Sequence, residues 1–154
     1  MDVYKRIEEL GLEILPATPK GGIYTPVRQF GENIIYVSGV GNLNMKDPDV
    51  LGKLGCELSL EDGQEAARRC MLNILSNLHH TLGSLNRIKS FVKILVFVAS
   101  APDFYQHPQV ANGASALLRD VFGDEIGLPA RSAIGVSALP GNIPVEIEVL
   151  LELK

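Results

Sequence analysis

Apolar positions change their period several times along the chain, and each change predicts an element. Val3, Ile7 and Leu10 recur at helical spacing with Gly11 behind them, which predicts a short helix over about residues 1–12. Residues 12–15 read as a brief strand that runs to Pro16. After the turn signal Gly21-Gly22, residues 24–30 form an extended segment that Pro26 places near a sheet edge or end. Gly31-Glu32-Asn33 then turns the chain into the β-branched run Ile34-Ile35-Tyr36-Val37-Ser38, so the two segments predict a hairpin. Residues 39–58, with four glycines and Pro48, read as an enlarged loop, most of it over about 42–58. Loops of that length inside a compact domain are often functional.

A capping box, Ser59-Leu60-Glu61-Asp62, opens a long helix. Its apolar stripe is Ala67, Cys70, Met71, Ile74, Leu75, Leu78 and Leu82, and Gly83 supplies the stop. Residues 88–99 contain Phe91-Val92-Lys93-Ile94-Leu95-Val96-Phe97-Val98, too continuously apolar for a half-exposed strand, so this one belongs in the middle of a sheet. A second helix is expected over about residues 110–122. Two strands follow, about 130–138 and 145–153, joined through Leu139-Pro140-Gly141-Asn142. A tight hairpin at Gly141 would pair them and leave Glu146 about 16 Å from Arg131 along the strand direction. The order predicts one α+β domain spanning 1–154, a two-layer sandwich in which two long helices cover one face of a mixed sheet.

Composition sharpens this in one respect. The chain has 154 residues, 46% hydrophobic but only 6% aromatic and without Trp, so its apolar content is mostly aliphatic. That is more such surface than a domain of this size comfortably hides, which points to self-association. Fourteen Lys and Arg against eighteen Asp and Glu give −4 with no block of like charge, so no footprint for nucleic acid or a membrane surface is present. The mixed charges of the first residues do not form a secretory leader. The longest uncharged stretch, residues 70–86, carries Asn73, Ser76, Asn77, His79 and His80, too polar to span a bilayer. A cytoplasmic protein with Cys56 and Cys70 as free thiols is the expectation.

The three histidines have no metal-ligand spacing, because His79 and His80 point about 100° apart on a helix and His107 stands alone. No P-loop, GxGxxG, GxSxG or HExxH occurs, and Arg68 and Arg69 are expected to be solvated helix charges. The informative stretch is Pro129-Ala130-Arg131-Ser132-Ala133-Ile134-Gly135-Val136, then Leu139-Pro140, then Val145-Glu146-Ile147-Glu148. Alternation puts Arg131 on a face of small residues with Ala133, Gly135 and Ser137, leaving room for a planar carboxylate against its fork. Glu146, Glu148 and Glu152 share the polar face of the last strand. An exposed polar strand face held by ion pairs would give the same pattern.

The combination of ARS, LP and EIE at this spacing resembles the C-terminal signature of the RidA/YjgF family, the reactive intermediate deaminases, also known as endoribonuclease L-PSP. The resemblance extends back through Asn112, Val92 to Val98, the long helix, Val37-Ser38-Gly39 and Gly22-Ile23-Tyr24. Only the N-terminal helix and the 42–58 loop fall outside shorter members, which marks a longer subgroup. The resemblance implies a chorismate-mutase-like fold, a homotrimer around a central barrel with one cleft at each interface, and no metal or organic cofactor. The implied activity is hydrolysis of 2-imino acids, and their enamine tautomers, to 2-keto acids and ammonia. Arg131 matches the arginine that binds the substrate carboxylate, and Glu146 the acid that positions water. Beside the arginine, such a carboxylate is expected to stay ionised. Tyr24 matches the aromatic residue that closes the cleft from the neighbouring subunit, and Ser38, Gly39 and Asn112 match residues that line it. Ala133 stands where the best-known branch has cysteine, a change in pocket chemistry. Two other readings remain: a regulatory module holding a small carboxylate without turnover, and the RNA cleavage the family name carries, for which this acidic chain clusters no phosphate-binding cations.

Overall fold

The computed structural model describes residues 2–44 and 46–154, so the parts of the predicted N-terminal helix and loop that fall on positions 1 and 45 lie outside it. Helix α1 (Val3–Glu9) begins at Asp2, whose carboxylate accepts from the Tyr4 amide. The segment expected as a strand over 12–15 is not one. The Leu15 amide donates to Ser76 Oγ at 3.0 Å, and the Leu15 carbonyl faces His80 Nε2 at 3.1 Å. Its polar backbone is satisfied by helix side chains, which a sequence pattern does not register.

Strands β1 (Val27–Phe30) and β2 (Ile34–Gly41) form the expected antiparallel hairpin, with β1 at the sheet edge. Helix α2 (Leu60–Leu82) starts with both halves of the capping box made between Ser59 and Asp62, and stops at Gly83 in the left-handed conformation. Strand β3 (Ile88–Ala99) is an interior strand of the sheet. Helix α3 (His107–Gly127) starts a turn earlier than the apolar pattern indicates, since Pro108 fits a first turn that needs no amide hydrogen there. Strands β4 (Ala130–Val136) and β5 (Val145–Leu153) complete a five-stranded sheet of order β1-β2-β5-β3-β4.

That order overturns the expected hairpin at Gly141. Strand β4 pairs in parallel with β3, while β5 crosses over and inserts antiparallel between β2 and β3. A 3-10 turn at Pro140–Asn142 turns the chain between them, but β3 lies in between, so the two strands never meet.

Helices α2 and α3 cover one face, and between helices and sheet lie Met71, Ile74, Leu75, Leu78, Leu118, Ile94, Val96, Ile147, Val149 and Leu151, all buried. Each such large side chain contributes about 1.5–3 kcal/mol when removed from water. Phe91 of β3 meets Phe122 of α3 edge to face, with ring centroids 5.0 Å apart. Among the described residues no layer covers the opposite face of the sheet, and Tyr36 (42% exposed) and Ile134 (43%) stand out on it. The aliphatic excess read from composition thus has a location.

Candidate functional site

Arg131 lies on the edge strand β4 and pairs in register with Ile94, a buried residue of the helix-covered face, so its side chain rises toward α3. There Nη1 donates to Asn112 Oδ1 at 2.8 Å and to Ser115 Oγ at 3.1 Å. Asn112 and Ser115 are three apart on α3 and so share one helix face. They fix the guanidinium without neutralising it, and among the described residues they are its only hydrogen-bond partners, which leaves Nε and Nη2 free for a ligand. A hollow of about 470 Å³ opens here, lined by Arg131, Asn112, Ser115, Arg119, Leu128 and Pro129. Ala133, two residues along the same strand face, is half-buried and packs against the core instead of projecting a polar group. Ser115 was invisible from sequence, although its i+3 spacing from Asn112 is the signal that finds it.

Glu146 belongs to the other face. On β5 it pairs with Gly41 of β2 and Phe97 of β3, and its half-buried carboxylate folds over Gly39. Between Val37 and Val40 the β2–β5 register shifts by one residue, so Ser38 and Gly39 form a bulge. A Cβ at position 39 would collide with Glu146 Oε1, so the bulge and the glycine together make the space the acid occupies. Ser38 is held there by two bonds to the Pro26 carbonyl, from its amide at 2.9 Å and its hydroxyl at 3.1 Å. From within α2, the Asn73 side-chain amide donates to the Gly41 and Leu43 carbonyls, both at 2.9 Å, and so anchors the far end of β2. A hollow of about 330 Å³ beside the bulge is lined by Tyr24, Pro26, Ser38, Gly39, Pro140 and Ile143, with Tyr24 42% exposed.

Burial is the first cause that raises the Glu146 pKa above the ordinary carboxylate value, and the charge of Glu148 adds to it. Glu148 is itself held by the Tyr36 hydroxyl, which donates to it at 2.7 Å and whose own pKa is raised by that bond. The expectation of an arginine beside Glu146 is therefore not met within one chain. Through Phe97, Glu146 is level with Ile134, three residues beyond Arg131 on β4, and β3 lies between the two strands. Their Cα atoms are roughly 14 Å apart by strand spacing, and the side chains leave opposite faces. One chain thus gathers Arg131 with Asn112, Ser115 and Ala133, and separately Glu146 with Gly39, which lines a neighbouring hollow with Ser38 and Tyr24.

The histidines take structural contacts. His79 Nδ1 is 2.7 Å from the Tyr4 hydroxyl, and His107 Nε2 is 3.0 Å from Ser100 Oγ. Among the described residues no group of His, Cys, Asp and Glu has the geometry to hold a metal ion, and no helix is long and apolar enough to cross a membrane. Both cysteines are free thiols, Cys56 exposed and Cys70 buried with its Sγ 3.3 Å from the Val145 carbonyl.

Residues 20–152 match the family described as Endoribonuclease L-PSP. Protein TCP17 of Trypanosoma cruzi is 39% identical over 152 residues, which cover 99% of this chain and 94% of that protein. The crystal structure of Atu1372, a protein of unknown function from Agrobacterium tumefaciens, has a TM-score of 0.88 at 35% identity and covers 99% of this chain and 92% of its own. The YjgF gene product of E. coli shares the fold at 23% identity, with a TM-score of 0.63 and coverage of 92% and 94%.

Proposed function

Because the chain belongs to the endoribonuclease L-PSP (RidA/YjgF) family, we propose that it hydrolyses 2-imino acids and their enamine tautomers to 2-keto acids and ammonia. The observation that carries this reading is that one chain holds two separate half-sites: a guanidinium fixed but not neutralised, and a carboxylate of raised pKa with nothing cationic beside it among the described residues. Each lacks what the other has.

In this mechanism the substrate carboxylate docks on Nε and Nη2 of Arg131, in the bidentate geometry a guanidinium favours. Asn112 and Ser115 hold the fork still, so little orientation remains to be lost on binding. Glu146 takes a proton from a water whose oxygen adds to C2 of the protonated imine. Protonated Glu146 gives that proton to the nitrogen of the resulting amino alcohol, the C–N bond breaks as the freed carboxylate takes the hydroxyl proton, and the products are a 2-keto acid and ammonia, which carries the last proton away from Glu146 as ammonium. A base with a raised pKa is well matched to this shuttle near neutral pH. Tyr24 closes the cleft, and the Ser38–Gly39 bulge lines it. The protonated imine is already electrophilic, so neither metal, organic cofactor nor thiol is required, and Ala133 is compatible with the chemistry.

Completion of the site requires Arg131 of one subunit to meet Glu146 of the next, in a homotrimer that buries the uncovered sheet face. Mixing tests this directly. At imine concentrations well below KM, Arg131→Ala and Glu146→Gln should each retain at most about a hundredth of wild-type activity, but refolded together at equal ratio they should regain about a quarter of it, since each mixed trimer restores one intact interface. The assay is ammonia or keto-acid release from an imine generated in situ by an amino-acid oxidase. No acceleration by wild type over buffer for any side chain, or full activity of Arg131→Ala alone, would sink the reading.

A second reading rests on Arg131, Asn112 and Ser115 all coming from one chain, which suits a module that binds a small carboxylate without turnover. Calorimetric binding of a keto acid alongside no catalysis would favour it.

A further inference from the structure

The Arg131 hollow contains more positive charge than one carboxylate needs. Arg119 also lines it, one helical turn beyond Ser115 and two beyond Asn112, on the same face of α3. Among the described residues no acidic one lines the hollow. The nearest carboxylate to Arg119 is its chain neighbour Asp120, at 3.5 Å from Nη2, on a side chain about as open to solvent (47%) as that of Arg119 itself (54%). Such an exposed contact is weak and leaves the guanidinium available. Arg131 and Arg119 thus flank the hollow from strand and helix, with Ser115 between them along the helix and the apolar Leu128 and Pro129 forming another wall.

We propose that the site prefers dicarboxylic 2-imino acids, of the four- and five-carbon class derived from acidic amino acids, with Arg131 binding the C1 carboxylate and Arg119 receiving the side-chain carboxylate. This rests on the reading of Arg131 as the carboxylate-binding residue and adds a specificity determinant to it. Two cations in one hollow with no acidic residue between them repel each other, and a dianionic ligand relieves more of that repulsion than a monoanion does. A helical turn of about 5–6 Å separates the positions that present Ser115 and Arg119, a spacing the carbon chain of such a ligand spans.

Calorimetry with two stable product acids tests the assignment independently of turnover: 2-oxoglutarate, and 2-oxopentanoate, which has the same number of carbons but no second carboxylate. Wild type should bind 2-oxoglutarate about fivefold to tenfold more tightly, a range set by a partly exposed charge pair. Arg119→Ala should bring 2-oxoglutarate to the affinity of 2-oxopentanoate, and Arg119→Lys should keep part of the preference. Raising salt should shrink the wild-type preference. Equal binding of the two acids, lost in Arg131→Ala, overturns the dicarboxylate assignment alone. So does a preference that survives Arg119→Ala. Failure of wild type to bind either acid overturns the carboxylate reading of Arg131 and this assignment with it.

Discussion

The two halves of the candidate site are built by opposite means. Arg131 is positioned by what surrounds it, because two acceptors on α3 hold one nitrogen and leave the other two unbonded among the described residues. Glu146 is positioned by what is missing, namely a side chain at Gly39, and no hydrogen bond among the described residues holds its carboxylate. A guanidinium stays charged in either setting, so bonding it firmly costs nothing in chemistry. A carboxylate that must take and return a proton is better left unbonded, since donors would favour its charged form and lower its pKa. The fixed half orients, and the loose half reacts.

Removing the reactive half should have the largest effect. Glu146→Gln keeps size and polarity but not basicity, and kcat for imine hydrolysis should fall by about 10²- to 10⁴-fold with KM little changed. Arg131→Ala should lower kcat/KM by about 10²-fold, mainly through KM, with an unaltered far-UV spectrum because the side chain is half-exposed on an edge strand. If the two substitutions gave the same division between kcat and KM, the contrast between an orienting and a reacting half would be broken.

Gly39→Ala probes the contrast more finely. The nearest atoms to the new methyl group are the flexible end of Glu146, so the melting temperature should move by only a few degrees while activity drops roughly tenfold. A large loss of stability would mean that the bulge serves the fold more than the acid. The smallest expected effect is a displacement along the pH axis. Glu148 raises the Glu146 pKa, and protonated Glu146 cannot accept a proton from water, so activity falls on the acid side. Glu148→Gln removes that charge, lowers the Glu146 pKa and should move the acid limb of the kcat profile to lower pH. An unmoved limb would assign the raised pKa to burial alone.

Local signals carried most of the architecture. The Ser59 and Asp62 pair, the helical stripe from Ala67 to Leu82 and the continuous apolar run of β3 each contain their own instruction, and each forms as written. The order of strands does not lie in any one segment. Leu139-Pro140-Gly141-Asn142 has the composition of a tight turn and does turn the chain, but the partner of β5 is chosen by burial of Val145, Ile147 and Val149 between β2 and β3. The same limit applied to the site. Residue types and alternation grouped Arg131 with Ala133 and Glu146 with Glu148 on their own strands but did not put them on opposite faces of the sheet, and the contact of Glu146 with Gly39 spans more than a hundred positions and leaves no periodic trace. Likewise Asn73 looks like a polar interruption of a helical stripe until the carbonyls of Gly41 and Leu43 are brought to it.

The thiol of Cys70, sealed beneath β5 against the Val145 carbonyl, gives the chain an internal clock. A disulfide reagent reaches it only during excursions that part α2 from β5, whereas Cys56 is open at all times. Labelling should therefore run in two phases: an early one that measures the intrinsic chemistry of an accessible sulfur, and a late one timed by opening of the seam next to Glu146. The ratio of the two rates reads how often that seam breathes, with no foreign probe attached.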